Sequence, residues 1–106
     1  MANSYVTNLY PKPTPGVADQ TLTVDNTSGG VKFGTAFNSL TRYIVFDVQG
    51  ADIRATYDGS PPVGAANGHI LFAGRSYTWS KQAAEAAQFI REGTTSATIH
   101  ASEFTD

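Results

Sequence analysis

The chain has 106 residues, 41% of them hydrophobic and 15% charged, with a formal net charge of −2. That is enough apolar material for one domain with a modest core, and too much for a disordered chain. It has no cysteine, which excludes a disulfide framework, a thiolate metal site and a cysteine nucleophile. The negative balance and the lack of a contiguous Lys/Arg cluster argue against a nucleic-acid partner, and no apolar run approaches the ~20 residues of a membrane-spanning helix.

The first ten residues, MANSYVTNLY, lack a basic stretch followed by an apolar one and do not read as a signal peptide. The expected product is therefore made in a cytoplasm and stays soluble or joins an assembly. YPKPTPGVAD follows, with Pro11, Pro13 and Pro15 at every second position. Each proline fixes φ and removes an amide donor, so residues 1–19 are expected to be an extended, proline-rich segment. Tyr5, Val6, Leu9 and Tyr10 give it apolar anchors. Two readings fit: a strap packed on its own domain, or an arm that docks on a neighbouring subunit. The arm makes Tyr5, Val6, Leu9, Tyr10, Pro11, Pro13 and Pro15 candidate assembly contacts.

From Thr21 the pattern has a period of two, which marks strands. Leu22 and Val24 alternate with Thr21, Thr23 and Asp25; DNTSGG then supplies turn residues, and VKFGTAF is a further short strand candidate. In RYIVFDVQG, Ile44, Phe46 and Val48 share one face, the strongest strand signal in the chain. DIRATYD places Ile53, Ala55 and Tyr57 together, with Arg54, Thr56 and Asp58 opposite. HILF and SYTW are two more short strands. SKQAAEAA is a helix of about two turns, capped by Ser80. QFIR returns to strand, EGTT turns, and SATIHASEF closes the chain with Ala97, Ile99 and Ala101 facing inward. The sum is an all-β antiparallel sandwich, immunoglobulin-like or jelly-roll-like, over residues 20–106, with one short helix and the extended N-terminal segment.

The stretch DGSPP reads physically as a turn. The Asp58 carboxylate can accept from amides two or three residues on, Gly59 can take positive φ, and Pro61 and Pro62 stop the strand. Asn67 and Gly68 form a second turn signal before HILF. Asp58, Gly59, Ser60, Pro62, Asn67 and Gly68 are thus structural turn residues. Catalytic and metal readings are weaker throughout. His69 and His100 have no His-x-His or His-Glu-x-x-His spacing, and Ser60 lacks a Gly-x-Ser-x-Gly context. Asp47, Asp52 and Asp58 do not form an Asp-x-Asp-x-Asp loop. Tyr57, Tyr77 and Trp79 could stack on sugar rings, but they share strand faces with core residues, which favours packing. No catalytic residue and no cofactor are expected.

Two resemblances are carried by these residues. ATYDGSPP…NGHILFAG resembles the Thr-x-Asp-Gly-Ser-x-Pro signature of immunoglobulin-like modules related to the chitobiase C-terminal domain. Asp58, Gly59, Ser60, Pro62 and Gly68 match it, whereas Ala55-Thr56-Tyr57 and Val63-Gly64 depart from it. Residues 43–104, with Asp-Gly-Ser-Pro, Asn-Gly-His and Ile-His-Ala-Ser-Glu in order, are similar to small proteins encoded among the head and tail genes of tailed bacteriophages. That second resemblance implies a non-enzymatic virion component, foremost a capsid decoration (cement) protein. Its implied partners are the major capsid protein, further copies of itself, or both, with no nucleic acid and no membrane. A neck, tail or baseplate component is the alternative within that class, and a carbohydrate-binding module the alternative outside it.

Overall fold

A computed structural model describes residues 12–62 and 67–105. Among the described residues seven strands and one helix follow in order: β1 (Gln20–Val24), β2 (Tyr43–Gln49), β3 (Ile53–Thr56), β4 (His69–Leu71), β5 (Ser76–Ser80), α1 (Lys81–Ala86), β6 (Gln88–Arg91) and β7 (Ala97–Phe104). They build a four-stranded sheet in the order β1-β7-β2-β5 and a three-stranded sheet in the order β4-β3-β6. Every pairing is antiparallel, so the expected all-β sandwich is the observed architecture.

The period of two places the core. β2 buries Ile44, Phe46 and Val48, and β7 buries Ala97, Ile99 and Ala101, while the residues between them are half-buried or exposed. The second sheet answers with Ile53, Ala55, Leu71 and Phe89. Phe46 is fully buried and meets Trp79, Tyr77 and Phe89 at ring-centroid distances of 5.0, 5.6 and 6.1 Å. Trp79 is partly buried and packs against this core. An aromatic cluster shared by both sheets fixes their separation, because Phe46 and Trp79 of the first sheet both pack on Phe89 of the second.

Ser80 caps α1 as the sequence predicts, its hydroxyl accepting from the Ala83 amide at 3.1 Å. The helix buries Ala84 and ends at Ala87, so its two turns serve as a crossover between sheets. VKFGTAF differs from expectation. Only Val31 pairs, through two 2.8 Å backbone bonds with Phe89, and the rest of the stretch forms no strand. Phe33 and Phe37 instead turn into an edge-to-face contact at 5.4 Å, and Phe33 also packs on Phe89. Packing of those rings prevails over strand propensity here.

Candidate functional site

Two places on this frame carry the polar groups that the sequence singles out. The first is the turn after β3. Asp58 Oδ1 accepts from the Ser60 amide at 3.0 Å and from Ser60 Oγ at 2.6 Å. These bonds, the hydroxyl first, hold the Asp58 carboxyl below its ordinary value of 3.8. Thr56 donates its hydroxyl to the Ser60 carbonyl, which closes the turn. Pro62 is fully buried, and a Cβ on Gly30 would meet its ring at 2.8 Å, so the loops after β1 and β3 lock together. Asn67 Nδ2 donates to the Pro61 carbonyl at 3.0 Å. Gly68 has φ +88, and a Cβ there would stand 2.9 Å from the Ala55 carbonyl oxygen. Glycine at that position is required by both conformation and space.

Asp58, Ser60, Asn67 and Gly68 line a cleft of about 160 Å³ together with Thr56, Tyr57 and His69. Tyr57 departs from the predicted pattern. It is 46% exposed rather than on the core face with Ile53 and Ala55. The cause is local: β3 ends at Thr56, whose side chain is buried where it bonds Ser60, and the alternation stops there. Tyr57 instead stacks on His69 at 5.4 Å and leans on Trp79 at 5.3 Å. His69 and His100 lie in different sheets, on β4 and β7. Asp47 accepts from Ser76 Oγ at 2.5 Å, and Asp52 from the Ala73 amide at 2.8 Å. Both have structural partners, and among the described residues no three His, Cys, Asp or Glu side chains are grouped to hold a metal.

The second place is the root of the N-terminal segment. Tyr5, Val6, Leu9, Tyr10 and Pro11 lie outside the described residues. Lys12–Thr14 run along the end of β7 on the flank that β1 leaves open. Pro13 bridges Phe104, the Thr14 amide donates to the Glu103 carbonyl at 2.9 Å, and the Thr105 amide donates to the Lys12 carbonyl at 2.9 Å. Pro13 and Pro15 are exposed, whereas Thr14 is buried. Its Oγ1 lies 2.9 Å from Thr41 Oγ1, and Thr41 Oγ1 donates to Glu103 Oε1 at 2.6 Å. A hydroxyl has one proton, so Thr41 gives its own to the carboxylate and receives that of Thr14. Glu103 Oε1 also accepts the Asn38 amide at 2.8 Å. The result is a buried relay from Thr14 through Thr41 to Glu103, which is only 6% exposed.

This clamp is not among the expectations from the sequence, although the sequence holds one sign of it. Glu103 continues the inward series of Ala97, Ile99 and Ala101, so the alternation itself puts a carboxylate on the core face. A buried carboxylate needs hydrogen-bond donors, and Asn38 and Thr41 supply them here, Thr41 being bonded in turn to Thr14. Scanned against known protein families, curated proteins and solved structures, the chain matches none of them.

Proposed function

We propose that this chain is a non-enzymatic structural protein of a tailed-phage virion, a decoration protein that cements the head. A rigid sandwich would sit on the shell while residues 1–11 reach a neighbouring subunit, either the major capsid protein or another copy of the chain. The resemblance over residues 43–104 motivates this reading. The observation that carries it is the clamp at Lys12–Thr14: two backbone bonds and the Thr14–Thr41–Glu103 relay join the root of the segment to β7, an interior strand. A tether fixed to an interior strand transmits load to the whole sheet, as a cement protein requires. The prolines restrict the free segment in advance and lower the entropy lost on docking.

The test has two parts. The full chain should co-sediment with shells assembled without it, and Tyr5→Asp combined with Leu9→Asp should weaken that binding while the fold persists. Mass spectrometry of purified virions should find the protein in proportion to the shell subunit. A copy number matching the portal or tail would move it to the neck, tail or baseplate, and absence from virions would end the proposal. A carbohydrate-binding module is the second reading, favoured by the exposed Tyr57 beside Asp58 and Asn67. It ranks lower because His69 stacks on the Tyr57 ring and Trp79 packs against the core.

A further inference from the structure

The sequence has no basic cluster, but the fold makes one. Lys12, Arg42 and Lys81 are three of the chain's seven lysines and arginines. The Arg42 amide donates to the Phe104 carbonyl at 2.8 Å, and the Lys81 amide donates to the Arg42 carbonyl at 2.9 Å. Lys12, paired with Thr105, stands on the other flank of β7. The three residues therefore stand in a row across one end of the first sheet, with the end of β7 between Lys12 and Arg42. Arg42 and Lys81 face each other on the rung that prolongs the β2–β5 ladder, and both line one cleft of about 550 Å³. Like charges opposed across a sheet repel each other. Among the described residues the ion pair is Arg54–Glu92, so neither cation has an acid bound to it. Glu85 lines the same cleft, and the nearby Glu103 already accepts from Asn38 and Thr41. Leu40, also lining the cleft, is 64% exposed, the most exposed large hydrophobic side chain among the described residues.

We infer that this cleft receives an acidic segment of a partner protein, with carboxylates on Arg42 and Lys81 and an apolar side chain against Leu40. Carboxylates would relieve the repulsion between the two cations, and Leu40 would lose water by being covered. A phosphate backbone would satisfy the cations but leave Leu40 exposed, which is why a protein segment is the better fit. The cleft is continuous with the clamp, since Thr41 belongs to both. The root of the N-terminal segment at Lys12 thus lies at the same end of the sheet as the cleft. The inference rests on the proposed role only for the identity of that partner, which would be the shell subunit.

Amide-resolved NMR titration of the full chain tests it, using a capped hexapeptide of alternating glutamate and leucine as the probe. Shifts should cluster at Leu40, Arg42 and Lys81. Arg42→Glu with Lys81→Glu should weaken binding by about tenfold or more, because both attractions to the peptide's carboxylates become repulsions. Glu85→Gln should tighten it. Should the double reversal misfold, Arg42→Gln with Lys81→Gln carries the same test with a smaller loss. Shifts centred elsewhere, no binding, unchanged affinity in the variants, or an equal response to a short oligothymidylate would each overturn the inference. Sedimentation with shells separates the two proposals. No binding by the unmodified chain would count against the virion role and leave the titration to decide the cleft. Shell binding that ignores the charge reversal would overturn the cleft assignment alone.

Discussion

Asp58 and Glu103 do the same chemistry in opposite settings. Each carboxylate accepts one backbone amide and one hydroxyl, at 3.0 and 2.6 Å for Asp58 and at 2.8 and 2.6 Å for Glu103. Asp58 takes both from Ser60, two residues on, and is exposed. Glu103 takes them from Asn38 and Thr41, 65 and 62 residues away, and is buried. The first is a turn that a short peptide can form. The second exists only when the sheet is assembled. Water replaces the partners of Asp58 if the turn opens, whereas the donors around Glu103 have no substitute. A buried group left unsatisfied bears its full desolvation cost, so similar bonds should differ widely in their effect on stability.

The sharpest way to break that comparison is Glu103→Ala, expected to cost about 2–3 kcal/mol by leaving the Asn38 amide and Thr41 hydroxyl without an acceptor. Urea denaturation measures it, and Glu103→Gln, which keeps an acceptor oxygen, should recover part of the loss. An unchanged midpoint for the alanine variant would mean that the clamp contributes nothing. Thr41→Val keeps the shape and removes the relay, at about 1–2 kcal/mol by the same measurement. Next is Gly68→Ala, expected to cost roughly 1 kcal/mol through positive φ and the approach to Ala55, a local effect independent of the clamp. A neutral or stabilising outcome there would show that the turn yields easily.

Asp58→Ala should give the smallest change, together with Asp25→Ala. Asp25 accepts from the Thr27 amide at 3.0 Å and from Thr27 Oγ1 at 2.5 Å, the same motif on another loop. Both carboxyls are held below 3.8 by those bonds, the hydroxyl first. A depressed folded-state pKa stabilises above the unfolded value and loses that contribution as pH falls through the folded value. The variants should therefore lie slightly below the unmodified chain at neutral pH and converge with it as both carboxyls protonate. A difference that persists in acid would contradict this origin.

The contrast also explains what was legible in the sequence. A period of two marked β2 and β7, Ser80 marked the start of α1, and Asp58-x-Ser60 marked its turn, because each signal lies within a few residues of its effect. Tyr57 was misplaced because the Thr56–Ser60 bond ends β3 one residue earlier than the alternation suggests. Val31 and the clamp depend on pairings across the fold, which local propensity does not encode. Glu103 stood on the inward face in plain view, but its donors sit at positions 38 and 41, with Thr14 behind Thr41, and are joined to it only by topology. The row of Lys12, Arg42 and Lys81 was hidden for the same reason: their neighbourhood is made by strand pairing across β7.

The central claim is that the root of the N-terminal segment is mechanically part of the sheet. Native-state hydrogen exchange at the Thr14 amide measures this most directly. The account predicts protection close to that of interior β7 amides such as Ile99, falling clearly in Thr41→Val while Ile99 is affected only through global stability. Exchange of Thr14 at the rate of an open loop in the unmodified chain, or protection unaltered by Thr41→Val, would contradict it.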